Sequence, residues 1–147
     1  MIVYLDTSAY VKLVIDEDGA EETRAVFQRA RRAASSVVTY PEATAALSRR
    51  DREAGSAAQR LLSWIQALDK SWRNTLSVPV VAKSAGNLAM THGLRGMDAV
   101  QLAAAMTLRD RVPASAGAEH VVFAAFDRRL LEAAEREGFA TLGRPLA

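Results

Sequence analysis

No cysteine occurs among the 147 residues, which excludes disulfides, thiolate metal sites and cysteine nucleophiles. Lysine is almost as scarce, with Lys12, Lys70 and Lys83 the only three, so nearly all the positive charge is arginine. The two histidines, His92 and His120, lie in or beside loop-like stretches with no His or Cys partner at ligand spacing, which argues against zinc. Both glycine-rich phosphate cradles, the P-loop and the dinucleotide fingerprint, are missing. Ser8 has no positioned histidine base, which argues against a serine hydrolase. No apolar run approaches the roughly 18–20 residues that span a bilayer. The first residues form an apolar strand-like run with no basic leader, so a cytoplasmic protein with no membrane association is expected.

What is present suits one folded domain over residues 1–147. Half of the residues are hydrophobic, enough for a sizeable core. The net charge is only +2, yet arginine's planar fork pairs bidentately with phosphate. The arginines fit either a polyanion ligand or ordinary solvated surface, since GC-rich genomes favour Arg over Lys whatever the function.

Strand-like and helix-like segments alternate along the chain. Strands are expected at Ile2–Leu5, Val37–Tyr40, Thr75–Val78, Val121–Phe126 and Ala140–Leu142. Helices are expected from Ser8 to Ile15, capped by Thr7 or Ser8, and from Glu21 to Arg32. A third starts at Pro41 and stops at Gly55, and a fourth runs from Ser56 to about Trp72. The remaining three cover about Val80 to His92, Asp98 to Arg109, and Arg128 to Glu137, and a loop fills Pro113 to His120. This alternation predicts an α/β fold with a mostly parallel central sheet and helices on both faces.

Four acids stand out against this pattern. Asp6, Glu42 and Asp127 each follow a strand-like run, and Asp98 opens a helix. Singly, each is an ordinary helix N-terminal carboxylate. Jointly, they sit where an open parallel sheet binds ligands, beyond the carboxyl ends of its strands. Carboxylates gathered there repel one another and normally hold a divalent cation, so the pattern points to phosphoryl transfer with Mg²⁺ or Mn²⁺. Arg95, Arg128 and Arg129 flank two of the acids and are candidates for a nucleic-acid backbone. Arg49, Arg50 and Arg52 are expected to point mostly away from the cleft. Trp64 and Trp72 share a helical face with Leu61, Ile65 and Leu68, which suits either core packing or a partner groove.

Four segments carry a family resemblance: Ile-Val-Tyr-Leu-Asp-Thr-Ser-Ala-Tyr-Val-Lys-Leu (2–13), Tyr-Pro-Glu-Ala-Thr-Ala-Ala-Leu (40–47), Leu-Arg-Gly-Met-Asp-Ala-Val-Gln-Leu-Ala-Ala-Ala (94–105) and Phe-Ala-Ala-Phe-Asp-Arg-Arg-Leu (123–130). In this order they resemble the PIN-domain family, in its VapC toxin branch, over essentially the whole chain. The resemblance implies a metal-dependent endoribonuclease, the toxin of a type II toxin–antitoxin pair, with RNA as substrate. It further implies a cognate antitoxin and a homodimer. Carried over by position, Asp6, Glu42, Asp98 and Asp127 form the acidic quartet, which holds Mg²⁺ or Mn²⁺ and activates water. Ser8 matches the hydroxyl residue after the first Asp. Rival readings are a PIN-like phosphohydrolase or housekeeping nuclease that is not a toxin, and a catalytically silent partner-binding module.

Overall fold

The computed structural model describes residues 1–113 and 120–143. Most of the loop expected at Pro113 to His120 lies outside the described residues. Five strands form one wholly parallel sheet: β1 (Ile2–Leu5), β2 (Arg32–Ser36), β3 (Thr75–Val78), β4 (Val121–Ala124) and β5 (Ala140–Leu142). The spatial order is β3-β2-β1-β4-β5. The chain thus leaves β1 towards one edge and returns through β4 on its other side, and a crevice opens at that switch point. Seven helices connect the strands: α1 (Thr7–Val11), α2 (Ala20–Arg29), α3 (Thr39–Glu53), α4 (Ala58–Arg73), α5 (Ala82–His92), α6 (Gly96–Arg111) and α7 (Arg128–Arg136). Among the described residues, no helix is long and apolar enough to cross a membrane.

Alternation along the central strands divides the core in two. Tyr4, Ala34, Val121 and Phe123 face α5, α6 and α7, where Leu88, Leu102, Leu108, Leu130 and Leu131 pack. Val3, Leu5, Ala33 and Ala124 face the other side, against Tyr10, Val26, Leu47 and Leu68 from α1, α2, α3 and α4. Helices therefore cover both faces, as the sequence suggests. Trp64 and Trp72 are partly buried against the second core, and Trp72 meets the Tyr10 and Tyr40 rings at 5.6 Å each.

The second strand is displaced from its expected place. Val37–Tyr40 reads as a strand, but the ladder is made by Arg32–Ser36, and Thr39 and Tyr40 already belong to α3. Small residues win because β2 is an interior strand closely covered on both faces, with Ala33 in one core and Ala34 in the other. Pro41 is the third residue of α3, still within the first turn, where its missing N–H costs no helical bond. The expected end of β4 also moves: Ala125 and Phe126 lead out of the sheet, and Asp127 caps α7.

Glycine is required at position 19. Gly19 caps α2 at φ +84°, and a Cβ there would lie 2.6 Å from Cε1 of Phe126. The left-handed conformation and the overlap together should make Gly19→Ala cost about 3 kcal/mol, read as a shift in urea midpoint at unchanged slope.

Candidate active site

The carboxyl ends of β1 and β4 and the first turns of α3 and α6 converge on one pocket of about 380 Å³. Asp6, Glu42, Asp98 and Asp127 all line it, as do Thr7, Ser8 and Gln101. Asp6 is the N-cap of α1 and Asp127 the N-cap of α7, while Glu42 and Asp98 lie in the first turns of α3 and α6. The capping role and the shared pocket are therefore two aspects of one arrangement, since four helix N-termini meet where the acids do. The cap on α1 expected at Thr7 or Ser8 is made by Asp6, whose Oδ1 accepts from the Ala9 N–H at 2.9 Å.

Each acid has one oxygen tied to the protein. Asp6 Oδ1 also accepts from Ser8 Oγ at 2.7 Å, and Ser8 Oγ in turn accepts the Phe126 N–H at 3.0 Å. Ser8 thus fastens Asp6 to the end of β4. Glu42 Oε1 accepts from Thr7 Oγ1 at 2.7 Å and from Gln101 Nε2 at 3.4 Å. Asp127 Oδ1 accepts from the Leu130 N–H at 3.0 Å. Arg95 Nε donates to Asp98 Oδ2 at 3.1 Å, and its Nη2 lies 3.7 Å from Asp127 Oδ2. Among the described residues nothing donates to Asp6 Oδ2, Glu42 Oε2 or Asp98 Oδ1.

Behind the acids lies a buried polar cluster that the acidic pattern alone does not reveal. Gln101 is 2% exposed. Its Oε1 accepts from Tyr4 Oη at 2.7 Å, and its Nε2 donates to Thr39 Oγ1 at 3.0 Å and Thr7 Oγ1 at 3.2 Å. Ser35 Oγ donates to the Leu5 carbonyl at 2.6 Å, and a second hydrogen bond of 2.7 Å joins the Ser35 and Thr39 hydroxyls. The sequence holds one clue to this cluster, because Gln101 follows Asp98 by three residues and so shares its face of α6.

The donor set fits a hard divalent cation in chemistry. Asp6 is 5% exposed, and among the described residues its Oδ2 has no donor. Burial first, and the Asp98 and Asp127 charges after it, raise its carboxyl to about 7 against the opposing bonds from Ser8 and Ala9. A single cationic group, the Arg95 guanidinium, already bridges Asp98 and Asp127. Among the described residues, no three acidic or histidine side chains are drawn together closely enough to cage an ion as they stand. Binding would therefore turn the free oxygens inward.

The arginines depart from expectation. Arg95 lines the pocket as suggested, but Arg128 and Arg129 do not, whereas Arg49 and Arg50 do. The pocket extends along α3 beyond Glu42, so the second and third turns of that helix still border it.

The family model of the PIN domain matches residues 3–136. The chain belongs to the PIN-domain family. Within it, the chain sides with the VapC branch: it is 35% identical over 140 residues to Ribonuclease VapC45 and to Ribonuclease VapC49, each from a strain of Mycobacterium tuberculosis. Those matches cover 93% of this chain and 92% of each relative. The PIN fold is shared with PAE2754 of Pyrobaculum aerophilum, at TM-score 0.63 and 20% identity, covering 96% of this chain and 89% of that one. VapBC2 of Rickettsia felis, solved bound to a promoter DNA fragment, matches at TM-score 0.61 and 13% identity over 97% and 98% of the two chains.

Proposed function

We propose that this PIN-domain protein is a metal-dependent endoribonuclease and the toxin of a VapBC-type toxin–antitoxin pair. The observation that carries the proposal is the shared pocket of Asp6, Glu42, Asp98 and Asp127, each with an oxygen turned to a protein donor. Its substrate class rests on the two VapC relatives, both named ribonucleases. The partner rests on fold neighbours solved as VapBC pairs. A homodimer and a cytoplasmic location complete the proposal.

Asp6, Asp98 and Asp127 would hold Mg²⁺ or Mn²⁺, with Glu42 at the margin of the same site. When bound, the ion supplies a more acidic water and neutralises charge growing on the phosphate oxygens. The protein's own part follows from its hydrogen bonds. Ser8 and the Ala9 N–H fix one edge of Asp6, leaving Oδ2 towards the pocket. Thr7 and Gln101 fix Oε1 of Glu42, so Oε2 is left to orient the attacking water and take its proton. The buried Tyr4–Gln101–Thr39 chain excludes bulk water from behind the acids. No role falls to the RNA 2′-hydroxyl, so the expected products carry 5′-phosphate and 3′-hydroxyl ends.

The test is cleavage of total and structured RNA by purified protein with Mn²⁺, with EDTA, and by Asp98→Asn. Cutting that needs the ion and fails in the variant supports the reading. Equal cutting by wild type and variant, or 2′,3′-cyclic phosphate ends, overturns it. Growth arrest on induction, absent for Asp98→Asn, tests the toxin role separately.

A further inference from the structure

The same pocket has a basic side that the acids do not explain. Lys12, Arg49 and Arg50 line it together with a fifth carboxylate, Glu17. Lys12 itself is out of reach of any ligand. It is 3% exposed, and its ammonium lies 4.4 Å from the Phe126 ring centroid and donates to the Asp18 carbonyl at 2.7 Å. Its remaining partner is Glu17 Oε1 at 3.0 Å. The other oxygen of Glu17 accepts from Arg50 Nη1 at 2.5 Å. Burial alone would raise the Glu17 carboxyl, but the bonds from Arg50 and Lys12 outweigh it and hold the group below its usual value.

One carboxylate is thus divided between a buried cation and a half-exposed one. Its effect is to hold the Arg50 guanidinium at the pocket wall while occupying one of its five donors. The Nε and Nη2 groups of Arg50 have no partner among the described residues, and Arg49 makes no hydrogen bond or ion pair there at all. Successive residues on a helix point about 100° apart, so two neighbouring arginines can border one cavity only where it wraps over the helix. An anion between them meets two forks at once.

Resting on the ribonuclease reading, we propose that Arg50, anchored through Glu17 to Lys12, and Arg49 form a clamp for an RNA phosphate that neighbours the scissile one. The chemistry requires such a group. A pocket lined by five carboxylates repels a polyanion, and Arg95 is already engaged by Asp98 and Asp127. Among the described residues, Arg49 and Arg50 are the pocket's remaining exposed cations. An acidic protein segment offers them similar oxygens, but the strand entering for cleavage must bring a second phosphate within one nucleotide of the acids.

The test is binding of a short fluorescein-labelled single-stranded RNA in EDTA across a salt series, followed by cleavage kinetics with Mn²⁺. Arg49→Ala and Arg50→Ala should each weaken binding about tenfold and lower the slope of log Kd against log salt by about 0.7. Arg128→Ala, outside the pocket, should leave the slope unchanged. E17Q discriminates further, because it makes the pocket more positive. A loose electrostatic contact would bind RNA more tightly, whereas a positioned clamp binds more weakly and raises KM with kcat held. Arg50→Lys, which keeps the charge and loses the fork, gives the same KM signature without disturbing Lys12. Unchanged binding in both alanine variants overturns the clamp while leaving the nuclease intact, and so does weakened binding to an acidic peptide with RNA binding unaffected. Wild-type protein that neither binds nor cuts RNA overturns both readings.

Discussion

Asp6→Asn is expected to abolish cleavage and, in the same variant, to make the metal-free protein more stable. A carboxyl raised from 3.8 to about 7 by burial and by the neighbouring acids opposes folding once it ionises. That displacement corresponds to about 4 kcal/mol at pH above 7. Asparagine keeps an N-cap acceptor for the Ala9 N–H and removes the charge. A net gain of about 2–4 kcal/mol is expected, or roughly 5–15 °C in Tm for a chain of this size.

The pH dependence has a definite sign. The folded state holds the Asp6 proton up to about 7, while the unfolded chain releases it near 4. The folded state therefore binds more protons between those values, and wild-type stability in EDTA falls as pH rises from about 4 to 7. Urea melts at pH 5, 6, 7 and 8 should show that fall in the wild type and a flatter profile in the variant. Mn²⁺ at pH 8 should restore the wild type more than the variant. Cleavage should drop at least about 10³-fold, since Asp6 is one of the carboxylates proposed to hold the ion that neutralises the reacting phosphate. A variant that is both inactive and less stable would refute this account of Asp6.

Gln101→Leu should weaken the fold strongly while sparing the acids. Leucine fills a similar volume, so the cost comes from polar groups left behind. Tyr4 Oη is fully buried and loses its acceptor, and Thr39 and Glu42 lose a donor. An unsatisfied buried group costs about 1–3 kcal/mol, so a loss of about 2–4 kcal/mol is expected. Tyr4→Phe should cost about 1 kcal/mol by itself, yet added to Gln101→Leu it should recover part of the loss, because both partners are then apolar. Activity should not recover with it, since Glu42 Oε1 still lacks the Gln101 amide. Urea melts of the two single variants and the double variant, beside their cleavage rates, separate the two effects.

The fold class and the meeting of the four acids were both legible in the sequence. Ile2–Leu5 is apolar and β-branched, Asp98 opens a clear helix, and parallel topology sends strand ends to one edge. The second strand was hidden because Arg-Ala-Ala-Ser-Ser has little strand character, while Val37 to Tyr40 has much. What decides is the room between covering helices, a property of the assembled layers. The polar cluster was hidden for a related reason: Tyr4, Ser35, Thr39 and Gln101 come together only when β1, β2, α3 and α6 pack. Arg49 and Arg50 were misjudged because helical direction alone does not tell how far a cavity runs along the helix.

The order of the strands also bears on timing during synthesis. Asp6 leaves the ribosome more than a hundred residues ahead of Asp127, and until that stretch has followed, β1 lacks its neighbour β4 and the pocket lacks Asp127. A nascent chain therefore carries scattered acids and no assembled centre. The four acids can share one pocket only after Asp127 has emerged and β4 has paired with β1.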